Sequence, residues 1–244
     1  MSIRLLHLFA GDLSSSGDSG NVQTVAYRLR ERGFEVETVA WDGQGALPEQ
    51  VDAVFIGNGP WSAAVRLLPV LLSQADALHK LHAAGVPFFA VGTGAELLAT
   101  NIIDAQDVTH AGVGIFDFES RRDADRRVGY MRVESTLGTL IGFGDFASEW
   151  RIAQAESALG KAVVGDRPQQ TIVEGVVTGG SVASRMGGPM LPLNPALADV
   201  VVATILKRRG EQVALAPAPV DEYIVHARAL IEKNLDSVFT TIAL

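Results

Sequence analysis

The first part of the chain alternates between short apolar runs and longer segments whose apolar residues recur with helical spacing. The segments 21–32 and 62–84 have this helical spacing, and each is followed by a glycine that predicts its end. The apolar or alternating runs between them are typical of strands. The four predicted strands are 3–9, 34–40, 51–56 and 86–91. Strands and helices at these spacings predict βαβ units and a parallel sheet.

The pattern changes near residue 110, where short apolar runs follow one another with turn residues between them. This pattern is typical of mixed or antiparallel sheet. The predicted strands are 113–118, 126–134, 139–144, 149–155, 161–165, 171–177 and 181–186. Two helices, Pro195–Arg208 and about 220–234, close the chain. Because no linker separates the halves, we predict a single domain over 1–244. Its fold class is α/β, with a three-layer, mostly parallel central sheet flanked by helices and additional short strands in the C-terminal half.

Composition narrows the classes of function. Hydrophobic residues make up 48% of the chain, enough for a substantial core, and the formal net charge is −8. This charge disfavours nucleic-acid partners and anionic membrane surfaces. No apolar run approaches the roughly 18 residues of a membrane span, and the start lacks the features of a signal peptide. We therefore expect a cytoplasmic protein without membrane insertion.

The chain contains no cysteine, which excludes disulfides, thiolate metal sites and thiol nucleophiles. This absence matters at Gly92-Thr93-Gly94, a glycine-rich turn after a predicted buried strand. In α/β enzymes such a turn presents a nucleophile, and here it offers neither cysteine nor serine.

A second glycine-rich turn, Gly57-Asn58-Gly59-Pro60, also joins a predicted strand to a predicted helix. Backbone N–H groups exposed by such a turn can hold an anion or an oxyanion. A tight turn that needs glycine for its backbone conformation explains the same pattern more simply.

The remaining polar features favour structural interpretations. His79 and His82 face one side of the long predicted helix, but no carboxylate motif accompanies them, so we expect a solvated helix face and no metal site. The run 119–127 mixes charges of both signs and predicts a solvated turn. No cofactor motif is present.

Seven segments occur in an order that resembles the class I glutamine amidotransferases of the cobyric-acid-synthase-like group. The most specific are GD-x-GN near the start and GP-x-LP-x-NP-x-LAD near the end. Within the group, the resemblance is to the glutaminase subunit of lipid II isoglutaminyl synthases, and it covers nearly the whole chain. The segments are 8–21, 52–60, 87–99, 112–120, 141–143, 173–175 and 187–199.

The resemblance implies a known mechanism. A cysteine at the turn attacks the side-chain amide of glutamine, and a histidine takes the thiol proton and passes it to the leaving ammonia. Backbone N–H groups of the two glycine-rich turns hold the oxyanion. Ammonia then passes to a partner, in this group a Mur-ligase-like synthetase.

This sequence departs from the implied pattern at its reactive positions. Gly92 stands at the cysteine position, Gly187 at the histidine position and Glu96 at a glutamine position. Further replacements are Gly144, Asp145 and Phe146, and Pro60, Trp61, Ser62 and Ala63. The resemblance therefore implies an active site without catalytic residues. The resemblance also implies which residues line the remaining cleft or stand at oxyanion-like positions. These are Gly57, Asn58, Gly59, Thr93 and Glu96.

Three hypotheses follow. The first is a catalytically degenerate, non-catalytic or regulatory subunit of a Mur-ligase-like amidating complex with a role in the cell wall. The second is an enzyme with altered chemistry that uses Thr93, Glu96 or Asp145. The third is a small-molecule-binding protein whose pocket is lined by Trp61 and the glycine-rich turn at 57–60.

Overall fold

One hydrogen-bonded sheet of twelve strands runs through the described part of the chain, which comprises residues 2–165, 167–212 and 214–235 of the computed structural model. The strands are β1 (Ile3–Leu8), β2 (Val36–Trp41), β3 (Ala53–Ile56), β4 (Phe88–Val91), β5 (Asn101–Ile103), β6 (Thr109–Ala111), β7 (Phe118–Ser135), β8 (Gly138–Ile152), β9 (Ala158–Val164), β10 (Arg167–Thr178), β11 (Ser181–Ser184) and β12 (Met186–Gly187).

Half of the sheet is parallel, in the order β2-β1-β3-β4-β11. All residues of β3 and β4 are buried. Strands covered on both faces need apolar side chains at every position, which is why these strands are continuous apolar runs in the sequence. The prediction of a parallel sheet built from the first four strands is confirmed.

The main strand order continues antiparallel from β11 through β10, β9, β7 and β8 to β12. Strands β5 and β6 lie off this order, with β5 antiparallel to β6 and parallel to β7. The predicted change of sheet style is therefore confirmed. The strands are longer than predicted, because β7 and β8 pair along most of their lengths. The runs 139–144 and 149–155, predicted as separate strands, lie largely in β8.

The predicted strand 113–118 is wrong. Residues 112–117 form a loop whose backbone N–H groups bond carbonyls at the end of an earlier helix, as in Val113 N–H to Leu97 O at 2.9 Å and Ile115 N–H to Leu98 O at 2.9 Å. Val113 and Ile115 are buried in the core. The apolar pattern of this segment thus reflects a loop that packs inward.

The prediction of a solvated turn at 119–127 is also wrong, because this segment belongs to β7. Arg122 lies opposite Ser148 on β8 and Arg127 lies opposite Phe146, so the pairing register shifts between them. Such a bulge redirects the side chains around it.

Helices cover both faces of the sheet. They are α1 (Ser19–Arg30), α2 (Trp61–Leu72), α3 (Ala75–Ala83), α4 (Gly92–Leu97), α5 (Met190–Leu193), α6 (Pro195–Arg208) and α7 (Asp221–Lys233). The apolar faces of α2, α3 and α4 pack into one core cluster, and those of α1, α5 and α6 into another. The sheet and these layers confirm the α/β fold class. The segment 62–84 forms two helices where one was predicted. No described helix is long and apolar enough to cross a membrane.

Candidate functional site

Two strand-to-helix turns meet at one edge of the parallel sheet. β3 ends at Ile56 and β4 ends at Val91, and these neighbouring parallel strands place their carboxyl ends side by side. The crevice at the carboxyl ends of parallel strands is where open α/β sheets bind ligands. The N–H of Gly94 donates to the carbonyl of Gly57 at 3.1 Å and joins the turns directly.

Gly92 forms the sharp elbow between β4 and α4. Its φ is +55°, a left-handed conformation that glycine adopts without strain. An added Cβ at Gly92 would lie 2.3 Å from Oδ1 of Asn58, so the carboxamide of Asn58 occupies the space in which a side chain at position 92 would begin.

Both ends of the Asn58 carboxamide are hydrogen-bonded. Its Oδ1 accepts the backbone N–H of Thr93 at 3.0 Å, and its Nδ2 donates to Oγ of Ser16 at 3.2 Å. The Thr93 hydroxyl is also engaged, because it donates to the carbonyl of Gly59 at 2.8 Å. The backbone N–H and the hydroxyl of Thr93 therefore both have partners within the chain.

A cleft of about 560 Å³ opens beside the elbow. Asn58, Gly59, Thr93 and Glu96 line it, whereas Gly57 lies behind it and packs closely against the loop at Leu13. The complete lining is Ser15, Ser16, Asn58, Gly59, Pro60, Trp61, Gly92, Thr93, Glu96, Arg122, Arg126, Asp145, Phe146 and Ala147.

Glu96 is buried on α4, with 2% of its surface exposed, and is paired on both oxygens. Arg122 from the bulged strand β7 donates to Oε2, and the hydroxyl of Ser148 donates to Oε1. The Arg122 guanidinium also lies over the ring of Trp61, 4.6 Å from its centroid. Glu96 is thus the buried anchor of a cation that forms one wall of the cleft.

A second ion pair forms another wall. Nε and Nη2 of Arg126 donate to the two oxygens of Asp145 at 2.6 and 2.7 Å. This hydrogen bonding to Asp145 raises the pKa of Arg126. With the Arg122–Glu96 pair, the residues that line the cleft carry two cations and two anions, so their charges balance.

Gly187 lies on β12 at the other side of Ser16. An added Cβ there would lie 3.5 Å from Cβ of Ser16 and 3.6 Å from Cγ1 of Val91, which are ordinary contact distances. Gly187, for which the resemblance implies a histidine, therefore faces the same corner as the elbow, and a Cβ would fit there.

Asp18 supports the glycine-rich turn from below. It is buried, and its Oδ2 accepts the backbone N–H of Asn58 at 3.0 Å. Burial raises the pKa of Asp18 to about 6. The Asn58 N–H consequently points at this carboxylate and is not free to bind a ligand.

Three of the five histidines have structural partners. His79 Nε2 contacts the carbonyl of Val113 at 2.8 Å, and the ring of His82 packs edge-on against Phe88. His110 Nε2 lies 2.8 Å from Oδ2 of Asp104, and this hydrogen bond lowers the pKa of Asp104. Among the residues that the structure describes, no group of three His, Cys, Asp or Glu side chains is placed to hold a metal ion.

Sequence reasoning missed Ser16, Arg122 and Arg126 as residues of the cleft. The run 119–127, which contains both arginines, mixes charges of both signs, and this pattern predicts a solvated turn. The unusual density of arginine in a segment between two strands was the available signal, but nothing local indicated the bulge that aims these side chains inward.

Comparison with known proteins gives a consistent result. Residues 16–151, more than half of the chain, match the family model described as "Glutamine amidotransferase class-I". The chain is 24% identical over 211 residues to "Lipid II isoglutaminyl synthase (glutamine-hydrolyzing) subunit GatD" of Staphylococcus aureus, covering 85% of this chain and 86% of that protein. The protein of the same name from Streptococcus pneumoniae is 22% identical, covering 88% and 85%.

A solved structure supports the fold. The glutaminase domain of Trypanosoma brucei CTPS with bound acivicin superposes with a TM-score of 0.55 at 11% identity, and the match covers 88% of this chain and 97% of that domain.

Proposed function

The chain belongs to the class I glutamine amidotransferase family, and from this premise we propose that it is a non-catalytic member that serves as a structural or regulatory subunit of an amidating complex. Its partner in this proposal is a Mur-ligase-like synthetase, and its role lies in the cell wall. Both similar proteins are named as subunits of lipid II isoglutaminyl synthase, and each match spans at least 85% of this chain. This coverage supports a shared mode of assembly.

The observation that carries the proposal is that the elbow has neither a nucleophilic side chain nor a base beside it. Covalent amide hydrolysis needs a nucleophile at the reacting carbon and a base to take its proton. Gly92 provides no nucleophile, and the adjacent space is filled by the carboxamide of Asn58. Gly187 provides no base at the corner that faces the elbow.

The geometry does not favour the altered-chemistry hypothesis. The Thr93 hydroxyl donates its proton to a backbone carbonyl, so it has no base. Glu96 and Asp145 are each ion-paired with an arginine, so their carboxylate oxygens already have partners within the chain. A threonine without a base is a poor nucleophile near neutral pH.

The cleft itself is the observation that favours small-molecule binding as a second function. Its volume falls within the range of ligand pockets, and Trp61, Phe146 and several polar groups line it. The two functions are compatible, because a subunit without catalysis can still bind a ligand.

Ammonia release from glutamine tests the proposal. We expect no turnover above buffer for the purified chain, alone or with a Mur-ligase-like synthetase, while the Staphylococcus aureus relative serves as positive control. The proposal also expects a stable complex with the synthetase in size-exclusion chromatography. Glutamine turnover by the wild type that disappears in Thr93→Val would overturn the non-catalytic assignment and support altered chemistry. Absence of a complex would overturn the subunit assignment.

A further inference from the structure

We propose that Asn58 is an intramolecular latch whose carboxamide is bound at the elbow as a tethered ligand, and that withdrawing it exposes a pocket for small primary carboxamides. The inference deepens the proposed function and rests on its assignment of an elbow without a nucleophile. It concerns what regulates the cleft.

The chemistry of the contacts matches a primary amide. The Thr93 N–H meets the amide oxygen of Asn58, and the Ser16 hydroxyl oxygen accepts from the amide nitrogen. A donor and an acceptor on either side of one planar group are complementary to C=O and NH₂ together. A carboxylate can accept the Thr93 N–H but cannot donate to the Ser16 oxygen, so it keeps the second contact only if the Ser16 hydroxyl turns to donate.

The latch depends on glycine at the elbow. Oδ1 and Cγ of Asn58 would lie 2.3 and 2.5 Å from a Cβ on Gly92, closer than van der Waals contact allows. The bound position of this carboxamide therefore exists only because position 92 has no side chain.

The Asn58 backbone is held independently of its side chain. Its N–H donates to Asp18 Oδ2 at 3.0 Å, and its carbonyl accepts the Ser15 N–H at 3.0 Å. Rotation of the side chain breaks two neutral hydrogen bonds and leaves these backbone anchors intact. The loop can consequently stay in place while the carboxamide leaves the elbow.

A tethered group competes strongly with free ligands. Short tethers give effective concentrations of millimolar or more, so a weakly bound amide in solution does not displace the latch. Removing the carboxamide leaves the Thr93 N–H and the Ser16 hydroxyl unoccupied at the wall of the cleft, where both residues are lining residues. These groups then form a pocket for an external carboxamide.

The experiment titrates acetamide into ¹⁵N-labelled protein and follows the backbone amide resonance of Thr93. We expect Asn58→Ala to bind acetamide with a Kd at least tenfold lower than the wild type, and acetate to bind more weakly than acetamide. Asn58→Asp should stay closed, because its carboxylate still accepts the Thr93 N–H. Asn234→Ala, which removes a half-buried asparagine directly after α7, is the matched control and should behave as the wild type.

Equal acetamide affinity in wild type and Asn58→Ala overturns the latch, and equal affinity of Asn58→Ala for acetate overturns its carboxamide selectivity. If Asn58→Ala does not fold, Ser16→Ala provides the test through hydrogen exchange. Loss of the Nδ2 partner should speed exchange of the Thr93 amide severalfold, and an unchanged rate overturns the inference. Glutamine turnover is not a readout here, so failure of the latch leaves the non-catalytic proposal standing.

Discussion

The carboxylate of Asp18 accepts the backbone N–H of Asn58 at 3.0 Å and ties the start of α1 to the glycine-rich turn beside the cleft. The other oxygen, Oδ1, is buried without a hydrogen-bond partner among the described residues. Burial of this ionised carboxylate raises the pKa of Asp18 to about 6, although the backbone hydrogen bond from Asn58 acts in the opposite direction.

This raised pKa predicts a pH dependence of stability. The unfolded value is 3.8, so between about pH 4 and 6 the folded state binds more protons than the unfolded state. The free energy of unfolding therefore falls as pH rises through this window, by about 3 kcal/mol for a shift of about two pKa units. Asp18→Asn removes the ionisation and should become more stable, relative to the wild type, by up to that amount between pH 4 and pH 7.

Urea unfolding of both proteins across this pH range measures the difference. Asp42→Asn, in an exposed turn, is the control for losing one acidic side chain. A difference between Asp18→Asn and wild type that stays constant from pH 4 to pH 7 would contradict the assigned pKa.

The parallel half of the fold could be predicted because burial on both faces leaves a local signature. β3 and β4 are short runs of apolar residues, β1 is mostly apolar, and each strand is almost completely buried. The same signal was misleading at 113–118, since an inward-packing loop also concentrates apolar residues. Periodicity reports burial, and only pairing with another segment decides whether a buried run is a strand.

The backbone turns of the site could be predicted from the sequence, whereas the contacts between its side chains could not. Glycines mark the elbow and the turn at 57–60, because their backbone geometry requires them. The direction of the Asn58 side chain and the pairing of Arg122 with Glu96 depend on residues 35 and 26 positions apart in sequence. No local pattern encodes such contacts.

Two glycines near the elbow should differ sharply in their tolerance of alanine. A Cβ on Gly94 would lie 2.4 Å from the carbonyl oxygen of Gly57, which is backbone and cannot move aside. A Cβ on Gly187 would have no neighbour closer than 3.5 Å. We expect Gly94→Ala to lower the free energy of unfolding by at least about 1–3 kcal/mol, and Gly187→Ala to leave it nearly unchanged. Thermal unfolding of both variants decides this, and equal losses would show that the elbow geometry is wrong.

Loss of a buried ion pair should lower the free energy of unfolding more than loss of an exposed pair. Glu174 and Arg185 are 0% and 3% exposed, and Oε2 of Glu174 accepts from Nε of Arg185 at 3.0 Å. Glu174→Gln leaves the Arg185 charge buried without its counterion, which should cost about 3–5 kcal/mol. Glu37→Gln, in the exposed pair with Arg4, should cost less than about 1 kcal/mol. Urea unfolding measures both, and a loss for Glu174→Gln no larger than for Glu37→Gln would be inconsistent with this account.

The contact between Gly92 and Asn58 should appear as an energetic coupling. Gly92→Ala introduces two penalties, a left-handed φ of +55° for a residue with a Cβ and a clash with the Asn58 carboxamide. Asn58→Gly removes the clash and leaves the backbone penalty. The double variant Gly92→Ala/Asn58→Gly should therefore be more stable than the sum of the single variants predicts, by about 1–3 kcal/mol.

Gly45→Ala is the matched control for this coupling. Gly45 has a similar φ of +71° and no atom within 4 Å of an added Cβ, so its substitution brings backbone strain without a clash. Combined with Asn58→Gly, it should show additive losses in urea unfolding. If positions 92 and 58 are also additive, the carboxamide does not occupy the side-chain space of the elbow, and the double variant Gly92→Cys/Gly187→His becomes the appropriate test for glutaminase activity. If they couple as expected, that test also requires Asn58→Gly, because a cysteine Cβ meets the same carboxamide oxygen.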